Sequence, residues 1–143
     1  MREILFRGKR MDNGEWVEGS LLKVTINGKT AYLIFGDNFS FDGNDVKALS
    51  HALVDPDTVG QYTGLKDKNG KRIFEGDIVS TDIKRPYLIV EVRDGCFMFN
   101  CNDGGKDYYD IMLPILEEPQ TTYEFGEVIG NIYDNPELIG GAE

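Results

Sequence analysis

Apolar and polar residues alternate with period two along much of the chain, in short runs separated by Asn-Gly and Asp-Gly pairs. Leu22, Val24 and Ile26 alternate with Lys23 and Thr25, the pattern of a half-buried strand. After Asn27-Gly28, Thr30-Ala31-Tyr32-Leu33-Ile34-Phe35 is almost continuously apolar, as expected for a strand covered on both faces. Leu88, Val90 and Val92 share one side of a further strand, opposite Tyr87, Ile89, Glu91 and Arg93. Asp94-Gly95 then leads into Cys96-Phe97-Met98-Phe99-Asn100-Cys101. A two-residue type I′ hairpin turn needs positive φ at both central positions, which Asn, Asp and Gly tolerate. Asn13-Gly14, Asn27-Gly28, Asn69-Gly70 and Asp94-Gly95 all fit that requirement.

Helical periodicity is scarce. Val46, Leu49 and Leu53 stand at helical spacing with Asn44 as a candidate N-cap, which predicts one short helix within residues 44–54. Pro114 and Pro119 make residues 114–123 an extended connection, and residues 127–133 read as a strand ending at Asn135-Pro136. The predicted class is mainly β, built of antiparallel hairpins with at most one short helix; 17 Gly and 5 Pro agree with it. Residues 1–60 form an N-terminal β-hairpin lobe. Residues 61–143 hold five or six closely spaced short strands, the pattern of a small closed barrel. No Pro-, Ser- or Gly-rich linker separates the two, so they are expected to pack as one unit.

Composition narrows the class of function. With 143 residues, of which 41% are hydrophobic, the chain can bury a core. Two cysteines are too few for a disulfide scaffold, and no apolar run approaches a membrane span. Residues 1–10 lack a signal-peptide apolar stretch, so a cytoplasmic location without membrane attachment is expected. Net charge is −10 and the pI is about 4.5, which repels nucleic acid and anionic lipid unless basic groups are segregated. They are partly segregated. Residues 1–60 carry 7 basic and 9 acidic groups, residues 61–86 carry 6 and 4, and residues 87–143 carry 2 and 12. The basic groups cluster at Lys66, Lys68, Lys71 and Arg72 on one predicted hairpin, with Lys84-Arg85 following.

Two long segments are distinctive. One runs Thr58-Val59-Gly60-Gln61-Tyr62-Thr63-Gly64-Leu65-Lys66-Asp67-Lys68-Asn69-Gly70-Lys71-Arg72-Ile73-Phe74-Glu75-Gly76-Asp77-Ile78-Val79. The other is Glu127-Val128-Ile129-Gly130-Asn131-Ile132-Tyr133-Asp134-Asn135-Pro136-Glu137-Leu138. With the opening Arg2-Glu3-Ile4-Leu5-Phe6-Arg7-Gly8, they resemble the YopX family over nearly the whole chain. The resemblance implies an SH3-type barrel in the C-terminal part and a phage or prophage gene product in a bacterial cytoplasm. It assigns no catalytic residue. Read physically, Asp67-Lys68-Asn69-Gly70 is turn chemistry. Glu75-Gly76-Asp77 reads as a tight bend whose carboxylates cap backbone N–H groups.

Candidate chemistry is sparse. His51 is the single histidine and has no nucleophile turn around it. Cys96 and Cys101 have too few companion ligands for zinc and are read as buried reduced thiols. Asp42-Gly43-Asn44-Asp45 lacks the ligand spacing of a calcium loop. Phosphate-binding glycine motifs are absent, so no cofactor is expected. Glu75 with Asp77, or Glu117 with Glu118, could form a hydrolytic carboxylate pair, the least supported reading. Trp16, Tyr108 and Tyr109 could anchor a partner or stack on bases, beside the basic hairpin Lys66, Lys68, Lys71 and Arg72. The leading expectation is a non-enzymatic accessory protein that binds another protein or itself, with a homo-oligomer as one form. The alternatives are a nucleic-acid-associated protein or an acidic DNA mimic.

Overall fold

The computed structural model describes residues 3–36, 39–48, 50–81, 87–103, 106–111 and 126–140. The predicted connection at 114–123, the Lys84-Arg85 pair and the Glu117-Glu118 pair lie outside them. Thirteen strands are described in chain order: β1 (Phe6–Lys9), β2 (Trp16–Ile26), β3 (Lys29–Phe35), β4 (Phe39–Asp42), β5 (Asp45–Ala48), β6 (His51–Val54), β7 (Gly60–Lys66), β8 (Arg72–Phe74), β9 (Asp77–Thr81), β10 (Leu88–Arg93), β11 (Cys96–Asp103), β12 (Lys106–Ile111) and β13 (Gly126–Asn131). A single turn of helix, α1 (Glu137–Gly140), follows. The chain is mainly β, and all strand pairs among the described residues are antiparallel. It divides into two compact units, Met1–Gln61 and Tyr62–Glu143, and β7 runs from one into the other.

In the first unit the strand order is β6-β3-β2-β1, and the first residues of β7 add to β1. The chain leaving β1 also bridges to β6 at Arg10 and Val54, and Met11 N–H donates to Leu53 O. The 3-10 turn Pro56–Thr58 fastens the end of β1: Thr58 Oγ1 accepts from Lys9 N at 2.9 Å and donates to Asp55 O at 2.7 Å. The core is Ile34, Ala52 and Val54, with Phe6, Val17, Leu21, Tyr32 and Val59 packed on it.

Three sequence expectations change here. The described residues within 44–54 form no helix; β4 and β5 are a hairpin whose two-residue loop is Gly43-Asn44, and β6 is a separate strand. The spacing of Val46, Leu49 and Leu53 gives way to sheet pairing because a glycine at positive φ between Asp42 and Asp45 suits a tight turn. β3 is not covered on both faces, for only Ile34 is fully buried. Third, the alternation in β2 points the opposite way. Val17 and Leu21 pack on the core, while Leu22 and Ile26 are 46% and 64% exposed.

The second unit has a five-stranded sheet of order β12-β11-β10-β9-β13, with β7 pairing β8 separately. Its core is Leu65, Ile73, Val79, Val90 and Phe99, flanked by Leu88, Phe97 and Val128. The sheet is open among the described residues, where β12 and β13 are edges that do not pair with each other, so the closed SH3-type barrel is not reproduced. Asp94-Gly95 and Asn27-Gly28 form the expected I′ turns, with φ of +52° and +78°, and +52° and +77°. Asn13-Gly14 and Asn69-Gly70 do not. Each places only its glycine at positive φ, at the end of a longer loop, because extra polar residues lengthen the connection.

Candidate interaction surface

The distinctive central segment builds a framework around its carboxylates. In β7, Gly64 breaks the register and Thr63 Oγ1 fills the gap, donating to Ile73 O at 2.8 Å and accepting from Leu65 N at 3.1 Å. Asp67 follows and is 1% exposed. Its Oδ1 accepts from Asn69 N and Lys71 N, and its Oδ2 from Val128 N, all at 2.9 Å. One side chain therefore closes the β7–β8 loop and ties it to β13, helped by Lys68 N donating to Gly126 O at 3.0 Å. Asp77 Oδ2 accepts from Phe74 N at 2.7 Å, and the side chain is 1% exposed. Gly76 stands at φ +94°; its N–H donates to Val90 O and its carbonyl accepts from Ile132 N. The predicted capped bend is thus present, with Asp77 Oδ2 capping Phe74 N–H and Glu75 half-buried beside it.

The last segment is a second such knot. Asn131 Oδ1 accepts from Tyr133 N and Asp134 N, while Asn135 Oδ1 accepts from Asn131 N. Asn135 presses on Gly130 so closely that a Cβ there would overlap its side-chain amide.

The basic hairpin does bring Lys66, Lys68, Lys71 and Arg72 together at the β7–β8 loop. Lys68 and Lys71 are exposed. Lys68 Nζ lies 3.9 Å from Glu127 Oε2, and Asn69 Nδ2 donates to Glu127 Oε1. The Arg72 guanidinium sits 5.8 Å from the Tyr62 ring centroid. Two of the four cations are therefore already engaged. Trp16 belongs to the other unit, where the Arg7 guanidinium and Lys9 Nζ lie 4.7 and 5.5 Å from its ring, so it is a half-buried packing platform. Tyr108 and Tyr109 are placed by register opposite Cys101 and Asn100 on β12, and their side chains lie outside the described residues.

His51 is exposed on β6 and stacks on Phe35 at 5.6 Å. Cys96 is exposed rather than buried, because it directly follows the turn at the end of the hairpin; the side chain of Cys101 lies outside the described residues. Among the described residues no group of three or more His, Cys, Asp or Glu could hold a metal ion, and no helix is long and apolar enough to cross a membrane.

Sequence reading missed the most conspicuous surface. Leu22 lies directly opposite Leu33, which lies opposite Leu53, so the three form a row across β2, β3 and β6. Val24 and Ala31 form the next row, and Ile26 lies beyond. These residues share the sheet face opposite Ile34 and Val54. Leu22, Leu53 and Ile26 are 46%, 50% and 64% exposed, and Met11 beside Leu53 is 59% exposed. The signal was present as the period-two row Leu22, Val24 and Ile26, but it pointed to an expected core rather than to an outer face.

The chain is similar to known proteins over nearly its whole length. The sequence model described as YopX protein matches residues 5–140. A crystal structure of protein EF1440 from Enterococcus faecalis is 23% identical, with a TM-score of 0.52, covering 97% of this chain and 99% of that one. An X-ray structure of protein yopX from Bacillus subtilis is 17% identical, with a TM-score of 0.46, covering 96% and 98%. No curated protein sequence matches.

Proposed function

The chain belongs to the YopX protein family, and from that starting point we propose that it is a non-enzymatic accessory protein that works by binding another protein. The setting is a phage or prophage product in a bacterial cytoplasm. The observation that carries the reading is the outer apolar row Leu22, Leu33 and Leu53, extended by Ile26 and Met11. Scattered exposed apolar residues are ordinary, but a contiguous row across three strands marks an interaction surface. The buried carboxylates support the non-enzymatic side of the reading. Asp67 directs both its oxygens, and Asp77 its Oδ2, to backbone N–H groups of their own fold.

The test is affinity capture by the full chain, comparing the native sequence with Leu22→Ser and Leu53→Ser combined. Removing two half-exposed leucines from a contact should weaken binding by about tenfold or more. Capture that is equally strong with both serines present, in a folded variant, would refute the assignment of this face. Substrate turnover lost on changing Glu75 would refute the non-enzymatic reading.

A further inference from the structure

The β2–β3 ribbon outruns its neighbours. β1 pairs with β2 only from Trp16 to Gly19, and β6 pairs with β3 only from Tyr32 to Phe35. Residues 24–31 therefore form a two-stranded tip with no described strand on either flank. Ile26 and Lys29 are direct cross-strand partners and share a face with Val24 and Ala31. Ile26 is 64% exposed, and Lys29 is exposed beside it. A ribbon of this kind buries too little to be stable alone, so an apolar tip gains from being covered. Its charge is also unlike the rest of the chain. Residues 19–36 hold Lys23 and Lys29 and no Asp or Glu, in a protein of net charge −10.

The second unit offers the complementary surface. Residues 62–143 carry 8 basic and 16 acidic groups, a net of −8. An open depression of about 320 Å³ lies there, lined by Val90, Val92, Ile132, Tyr133, Glu75 and Glu91; Glu91 Oε1 also accepts from Asn100 Nδ2 at 3.3 Å. Arg93 and Gly76 complete the lining, so its charged groups sum to −1. Val92 is 45% exposed.

We infer that the ribbon tip of one copy docks into this depression of a second copy. Ile26 enters the apolar part and Lys29 meets Glu75 or Glu91. The inference rests on the protein-binding reading above and names the partner as the chain itself. Two acidic second units repel each other, whereas an acid-free, lysine-bearing tip meets its neighbour's negative unit favourably. The contact joins two different surfaces, so it is head-to-tail and propagates into a ring or an open filament.

The experiment is native mass spectrometry with sedimentation velocity on the full chain over a wide concentration range. A ladder of oligomers or one closed ring, weakening as salt rises, is expected. Lys29→Glu should weaken association by about tenfold or more, since it places like charges together, and Ile26→Ser should weaken it as well. Adding Glu75→Lys or Glu91→Lys to Lys29→Glu in the same chain should restore association, and the variant that restores it identifies the carboxylate. Matching far-UV spectra establish that the variants fold. A monomer at every concentration, association indifferent to Lys29→Glu and Ile26→Ser, or rescue by neither reversal overturns the inference. If the chain stays monomeric while Leu22- and Leu53-dependent capture of a different protein persists, only the head-to-tail contact is wrong. If that capture is absent too, the protein-binding reading falls with it.

Discussion

Asp67 ties three separate backbone groups of the second unit together, and its replacement should show it. Three backbone N–H groups, those of Asn69, Lys71 and Val128, converge on its two oxygens at 2.9 Å, and the side chain is 1% exposed. Hydrogen bonds to a charged acceptor contribute about 1.5–3 kcal/mol each, and stranding a buried donor costs about 1–3 kcal/mol. The three donors are only part-buried, so water recovers some of that loss. Asp67→Ala should then cost about 3–5 kcal/mol. Asp67→Asn keeps one acceptor oxygen for Asn69 and Lys71 but turns an NH2 group toward Val128 N–H, and should cost about 2 kcal/mol. For a chain of this size 1 kcal/mol moves Tm by about 3–4 °C, so the shifts are about 6–8 °C for Asn and 10 °C or more for Ala. The assay is thermal and urea unfolding, with amide exchange at Val128 as a local probe. Glu127→Gln serves as control, because its pair with Lys68 is long and half-exposed and contributes little. A loss below about 1 kcal/mol in Asp67→Ala would refute the idea that this carboxylate holds the hairpin to β13.

Other outcomes follow from the same contacts. Gly130→Ala should destabilise by about 2–3 kcal/mol, because its Cβ would overlap the Asn135 amide that also accepts from Asn131 N; urea unfolding measures it, and a neutral result would show that the Asn135 side chain can move aside. Cys96 should react with a thiol reagent in the folded protein, as peptide mapping would show, and protection until unfolding would contradict its exposure. Arg10 grips Asp12 through both carboxylate oxygens, at 2.8 and 2.7 Å, which lowers the Asp12 pKa below the usual carboxylate range; the hydrogen bond leads and the charge adds to it. Since the folded value is the depressed one, this contribution is present above the ordinary carboxylate pKa and is lost as pH falls through the lower folded value. An NMR titration should show Asp12 returning toward its ordinary value in Arg10→Ala, with a small stability change because the pair is exposed.

How much of this was legible in the sequence depended on the range of the interaction. Turn chemistry is local: of the pairs read as hairpin turns, Asn27-Gly28 and Asp94-Gly95 form the expected I′ turns, and Asn69-Gly70 helps to close the Asp67 loop. The capped bend at Glu75-Gly76-Asp77 was readable for the same reason, since Asp77 reaches back only to Phe74. The third bond of Asp67 was not. Its donor, Val128, lies 61 residues away, and nothing in Asp67-Lys68-Asn69-Gly70 tells a loop carboxylate in water from one sealed against a later strand. The predicted helix failed by the same logic reversed. Val46, Leu49 and Leu53 satisfy a helical spacing, but β6 pairs with β3, which lies far earlier in the chain.

Period two determines which side chains share a face and carries no sign to say which face is inside. In β2 both sets are credible cores. Val17, Gly19 and Leu21 form one, and Leu22, Val24 and Ile26 the other, larger and more apolar one. Partner strands decide between them. Ile34 of β3 and Val54 of β6 are each 1% exposed, and the register puts Leu21 opposite Ile34, so the smaller set goes inside. Gly19 belongs to that inward set because no larger residue fits; a Cβ there would strike the Phe35 carbonyl. Reversing the strand would turn Leu22, Val24 and Ile26 inward at about 1.5–3 kcal/mol each, yet it would turn Glu18 and Ser20 inward with them and remove Val17 and Leu21 from the core. The fold keeps the arrangement that leaves Leu22 and Ile26 in water, at a cost that is recovered only when another surface covers them. The apolar alternation that first predicted a strand therefore matters most as the outer surface of that strand, which a partner or a second copy can cover.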